Sequence, residues 1–189
     1  LLIIPLVIAF LGAKGQQGFK EGFLLNERLD TVPGFVRFSG KENAPKPCLF
    51  KSDRNGAVRE VFPGTVHGFC TTDGAYYYSR HIGNTADVFL EVLVKGYMNL
   101  FKFGDIYFVE KGDSVFFELS DQMEVIVGDG QPQEMRTRNY SRMLGLLVAD
   151  CPSVTQELKK LSLREKPLVR LVSSYNLCKG SPFQVYRVK

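Results

Sequence analysis

Between Val88 and Val127 the chain reverses at a nearly constant interval. Turn pairs stand at Lys95-Gly96, Gly104-Asp105, Gly112-Asp113 and Ser120-Asp121, spaced nine, eight and eight residues apart, with apolar and aromatic runs between them. That cadence predicts an antiparallel β-meander. In the first run Val88, Leu90, Val92 and Val94 share one face and Phe89 and Leu93 the other, the pattern of a central strand buried on both sides. The later runs alternate more cleanly, which sets Ile106, Phe108, Val115, Phe117 and Leu119 inward against Glu110 and Glu118.

The text before Val88 is also strand-like. Gly22 to Phe38 reads as a hairpin turning near Glu27 to Asp30, and Cys48 to Ser52 returns through Asp53–Gly56 as Ala57 to Phe62. Asp73-Gly74 separates His67–Thr72 from Ala75–Ile82, and Asp-Gly is a strong hairpin signal because both turn positions need positive φ.

Gly128–Glu134 (GDGQPQE) reads as a linker, after which the hydrophobic period changes from two to 3.6. Tyr140, Met143, Leu144, Leu147 and Val148 form one helical stripe that must end by Cys151, because Pro152 biases the preceding residue away from helix. Pro152 opens a second helix with Val154, Leu158 and Leu161 on one face. A third, from about Glu165 to Pro167 onward, carries Leu168, Leu171, Val172 and Tyr175, with Asn176 as its left-handed cap. Phe183–Val188 alternates again as a last strand. The short loop near Ser162–Glu165 implies antiparallel packing of the second and third helices. That packing returns Cys178 to Cys151, so a disulfide between them is expected; Cys48 and Cys70 are left without an assigned pairing.

The chain of 189 residues is 44% hydrophobic, long enough to hold a core without metal or disulfide. Its first eleven residues, LLIIPLVIAFL, precede small residues at Ala13 and Gly15. This is the apolar region and cleavage zone of a secretory signal peptide, too short to span a bilayer, so residues 1–15 are expected to be removed before Gln16. An oxidising, periplasmic or outer-membrane-associated location follows, and the four cysteines agree with it.

Charge is uneven. Residues 16–130 carry 12 basic and 16 acidic side chains, residues 131–189 carry 11 and 4, and the whole chain is at +4. That total is too mild to demand nucleic acid, and no nucleic-acid module is recognisable. The basic helical segment holds Arg138, Arg142, Lys159 and Lys160 as candidate binding residues for an anionic surface such as phospholipid or lipopolysaccharide headgroups. Tyr76 and Tyr78 share a strand face and are candidates for stacking on a sugar or peptide, although tyrosine also fills half-buried strand surfaces.

Strong catalytic signatures are missing: there is no G-x-S-x-G, Walker A loop, H-E-x-x-H or C-x-x-C. The two histidines, His67 and His81, leave one alternative, a tetrahedral metal or hydrolytic site with Cys70 and Cys48. An H-x-x-C pair on a strand points its ligands to opposite faces, so the expectation is no metal, no cofactor and no catalytic residue. Asp129, between two glycines, reads as a turn and not as a calcium loop.

The strings GFLLNERLDTVPGFVRF, FLEVLVKGYMNLFKF, YFVEKG, LLVADCP and LVRLVSSYN together resemble uncharacterised exported envelope proteins of Bacteroidetes. The resemblance implies a strand-rich region and a short helical pair after a signal peptide, with some members continuing into an outer-membrane β-barrel. It carries no site residue onto this chain; the Cys placements after DCP and YN agree with it. The expected architecture is α+β: an antiparallel meander or half-barrel of about eight to ten strands over residues 16–130. A helical unit at 131–189 packs on it to complete one domain. The expected role is an exported binding or scaffolding module, with an accessory domain of a longer outer-membrane protein or an envelope hydrolase using His67 and His81 as rivals.

Overall fold

Gly74 and Gly104 adopt φ of 86° and 56°, a backbone region strained for residues with a Cβ, and at each the chain reverses between paired strands. The computed structural model describes residues 18–39, 44–83, 86–112, 115–128, 131–137 and 139–186, with backbone alone for 122–128 and 131–137. The expected leader lies outside the described residues, as do Arg138 and Asp129.

Ten strands lie along one antiparallel sheet: β1 (Lys20–Leu25), β2 (Thr31–Arg37), β3 (Cys48–Lys51), β4 (Arg59–Val61), β5 (Gly68–Thr71), β6 (Tyr76–Ile82), β7 (Ala86–Lys95), β8 (Met98–Phe103), β9 (Ile106–Lys111) and β10 (Val115–Leu119). From β5 to β10 the order is a plain meander. The hairpins of β1 to β4 join it through β1, which lies between β2 and β5. Phe23 faces Pro33 on one side and Cys70 on the other. Gly22 permits this junction, since a Cβ there would stand 2.1 Å from the Cys70 carbonyl oxygen. The sheet curls into a half-barrel, so that Val61 of the edge strand β4 shares a core with Leu24, Val36, Phe50, Phe69 and Phe89 of β7. Within it the Phe69 ring lies 4.8 Å from Tyr77 and 5.0 Å from Phe89.

Three helices cover the β7–β10 end: α1 (Asn139–Leu147), α2 (Pro152–Glu157), prolonged by a single 3-10 turn at Leu158–Lys160, and α3 (Glu165–Cys178). The predicted stripes are the ones buried. Tyr140, Leu144 and Val148 meet Leu168, Leu171, Val172 and Tyr175 over Leu93, Met98, Leu100, Val109 and Leu119 of the sheet. Each fully buried Leu or Val contributes about 1.5–3 kcal/mol. Cys151 and Cys178 form the expected disulfide, closing the α2–α3 pair at its ends. Among the described residues no helix is long and apolar enough to cross a membrane.

Several expectations are corrected. Gly128–Glu134 is not a linker: β11 (Gln122–Gly128) pairs with β12 (Gln131–Thr137) as a separate hairpin, so strands continue past residue 130. The sequence between them is Asp129-Gly130, a hairpin pair that the surrounding polar residues disguised. Asn176 does not end α3, which continues to Cys178; Gly180 takes the left-handed conformation at φ 63°, which costs glycine less. Among the described residues the last strand, β13, is Gln184–Val185, paired with Lys95 and Val94 of β7.

The facing of the central strand also changes. A register shift between Val92 and Val94 sends Val94 to the helix side beside Leu93, while Val88, Leu90 and Val92 keep the opposite face. Such a bulge re-aims the residues after it. Ile106 and Phe108 likewise lie opposite the helices; Tyr107 and Val109 join Phe117 and Leu119 beneath them. Both faces of β7–β10 are apolar, so alternation alone does not say which is covered.

Candidate functional site

Among the described residues no helix packs on the sheet face turned away from α1, α2 and α3. Phe101, Phe108, Val88, Leu90 and Val92 are buried there, and half-buried Tyr76, Tyr78, Ile82, Phe103, Ile106, Phe116 and Tyr186 pack around them. At one end lies an open cleft of about 600 Å³. Its walls are the end of β6 (Ile82), the start of β7 (Val88), the β8–β9 turn (Phe103, Ile106) and the stacked rings of Phe108 and Phe116, whose centroids are 5.4 Å apart. Pro45, Gly83, Phe117 and Glu118 complete the lining.

A polar brace stands beside these rings. Arg80 Nη2 lies 2.6 Å from Glu110 Oε1, and Asn99 Nδ2 donates to Glu110 Oε2 at 2.6 Å. The Arg80 guanidinium sits 4.8 Å from the Phe116 ring centroid. Its charge is therefore neutralised within the protein. Glu118, by contrast, is exposed and has no ion-pair partner among the described residues. The cleft thus combines apolar walls with one free carboxylate.

Tyr76 and Tyr78 share this face as the sequence predicts, but neither is a free stacking platform. The Tyr76 ring packs 5.2 Å from Tyr186 of the C-terminal segment, and burial pushes its hydroxyl up to about 12. Tyr78 stacks on Phe101 with centroids 6.4 Å apart. Both support the third core next to the cleft. What the sequence reading missed is the set Phe103, Ile106 and Phe116. The available signal was the second apolar face on β8 to β10, of which the alternation singled out Ile106 and Phe108 but neither Phe103 nor Phe116.

The four-ligand alternative does not assemble. His67 and His81 do line one shallow cleft with Ser79 and Asp87, where His81 Nδ1 is 3.2 Å from Asp87 Oδ1 and His67 Nε2 is 3.1 Å from the Glu27 carbonyl. Ser79 Oγ accepts the Gly64 N–H at 2.6 Å. Cys48, however, is enclosed in the curled core, where burial pushes its thiol up to about 12. Cys70 lies beside Tyr76 across the β5–β6 ladder, its thiol also raised by burial. Among the described residues no three His, Cys, Asp or Glu side chains are grouped to hold a metal ion.

Of the basic candidates, Lys159 and Lys160 are exposed on the 3-10 turn, and Lys160 lines a cleft with Lys166 and Arg170 of α3. Arg142 is on α1 and donates to Asn139 Oδ1 at 3.0 Å, so it belongs to a local helix contact instead. Comparison with known proteins returns no matching family model, no matching curated protein and no matching solved structure.

Proposed function

We propose that the chain is an exported, envelope-associated binding module without catalytic chemistry, and that its ligand is a small apolar molecule, neutral or cationic, held in the cleft at Ile106 and Phe116. The observation that carries this reading is a roomy cleft with apolar walls on a sheet face that the helices leave uncovered. Ligand sites are of this size and character, mostly apolar with few polar groups. The ligand's charge follows from the lining. Arg80 is spent on Glu110, and the free Glu118 carboxylate repels an anion. The apolar leader at Leu1–Leu11 and the Cys151–Cys178 disulfide support export.

Two measurements test it. A neutral fluorescent probe such as N-phenyl-1-naphthylamine should bind saturably, one per chain, and Ile106→Glu should weaken it at least about tenfold, about 1.4 kcal/mol. An anionic naphthalene sulfonate should bind less well, with Glu118→Gln narrowing the gap. Absence of saturable binding, or a parent-like affinity in Ile106→Glu, refutes the site. The mass of the exported protein should correspond to a chain beginning at or very near Gln16; a mature protein retaining Leu1 refutes the export reading.

A further inference from the structure

We infer that the corner formed by the 3-10 turn and the start of α3 is a docking surface for a lipid leaflet bearing phosphate-type anionic headgroups. Lys159, Lys160, Arg164, Lys166 and Arg170 are all exposed there, and none has an ion pair or side-chain hydrogen bond among the described residues. Elsewhere several surface cations are matched, although exposed Arg28, Arg59 and Lys95 also have no ion pair among the described residues. Lys20 sits against Asp73, Arg54 against Glu21, Arg80 against Glu110 and Lys179 against Asp150.

Three features make this corner electrostatically costly within the protein itself. Lys166 and Arg170 are four residues apart on α3 and line the same cleft of about 360 Å³ with Lys160, so like charges face one another. Arg164 and Lys166 flank the N-terminus of α3, where the helix dipole opposes positive charge. Glu165, the carboxylate between them in sequence, is turned away to the sheet and bonded to Lys102 Nζ at 2.9 Å. Among the described residues Glu157 is the one acidic residue lining the cleft. Ordinary solubilising charge has no reason to be concentrated where both neighbours and backbone disfavour it. An external layer of anions relieves all three costs at once.

The cleft floor explains the mode of contact. Leu161 is buried and Pro167 half-buried, so no exposed large apolar side chain projects there to enter the acyl region. The contact is therefore peripheral and electrostatic, and sensitive to salt. Each Lys or Arg held near an anionic leaflet contributes about 1 kcal/mol, about fivefold in partition. The choice of a leaflet over other polyanions rests on the envelope reading above. The contact itself depends on neither the apolar cleft nor the leader.

The test is sedimentation of the full chain with vesicles of phosphatidylcholine alone or with one third phosphatidylglycerol. At low salt binding should require phosphatidylglycerol, and it should vanish in about 1 M salt, where the screening length falls to about 3 Å. Joint replacement Lys160→Gln, Lys166→Gln and Arg170→Gln should lower partition about a hundredfold, three contributions of about fivefold each. A control with Lys20→Gln, Arg28→Gln and Arg54→Gln removes the same charge and should retain binding. Equal binding to both vesicles, an unchanged triple variant or an equal loss in the control overturns the proposal. So does stoichiometric capture of inorganic phosphate that displaces the vesicles, or binding of duplex DNA without vesicle binding. The naphthylamine probe reports separately on the apolar cleft, so failure of one proposal leaves the other legible.

Discussion

Asn176→Ala is expected to destabilise the protein by about 3 kcal/mol, because it strands two buried backbone groups at once. The Asn176 side chain is fully buried in α3, accepts the Met98 N–H at Oδ1 (2.8 Å) and donates from Nδ2 to the Met98 carbonyl (2.9 Å). This doubly bonded contact ties the helix to the first residue of β8. Alanine leaves both Met98 groups buried without partners, each at about 1–3 kcal/mol, and also opens a void against Gly96. Chemical unfolding should show a lower midpoint with an unchanged slope. Asn176→Asp adds a diagnostic pH dependence. A carboxylate facing the Met98 carbonyl ionises only at a cost, so its folded pKa is raised above the unfolded value. The variant should be least impaired below the normal carboxylate range and lose stability as pH rises through and beyond it. A loss under about 1 kcal/mol for alanine would show that these two bonds do not hold α3 in place.

Removal of the Cys151–Cys178 disulfide is expected to cost about 3.5 kcal/mol in the chain-entropy treatment, for a sequence separation of 27. The linked corner has other ties. Asp150 accepts from Tyr175 Oη at 3.0 Å and from Lys179 Nζ at 3.0 Å, and the Lys179 contact, with that of Tyr175, holds its carboxyl below the usual range. Cys151→Ser with Cys178→Ser should therefore stay folded near neutral pH, with a melting temperature lower by about 2–4 °C per kcal/mol. The Asp150 contribution is present above the ordinary carboxylate range and is lost as pH falls through its depressed folded pKa, so the serine variant should unfold in acid before the parent does. Peptide mapping without reduction should recover Cys151 and Cys178 in one linked species. Alkylation of both without reduction would refute the bridge.

Local chemistry explains what was readable. The Asp73-Gly74 and Gly104-Asp105 turns join strands adjacent in sequence, so their positions needed no knowledge of the rest of the chain. The helical stripe of Leu168, Leu171, Val172 and Tyr175 was readable for the same reason, since residues three and four apart share a face wherever the helix lies. Asn176 was misread because asparagine is a common helix terminator. Its actual use depends on Met98, 78 residues away in sequence. Tyr76 and Tyr78 share one strand face, as their spacing predicts, but the cleft beside them is built from Ile82, Phe103, Ile106 and Phe116 on four different strands.

The sequence by itself determined the meander cadence, the α+β order and the cysteine pair that meets when two short helices fold back, because turn residues and hydrophobic period act over a few neighbouring residues. Only the tertiary structure decided that β1 lies beside β5, that the register shift at Val92–Val94 divides the central strand between two cores, which apolar face the helices cover, and that Glu165 turns to Lys102 and leaves the cations around it unmatched among the described residues. Each of those outcomes is a competition among distant partners for the same burial or the same charge. The winner is set by the summed packing of the whole chain, which no local window contains.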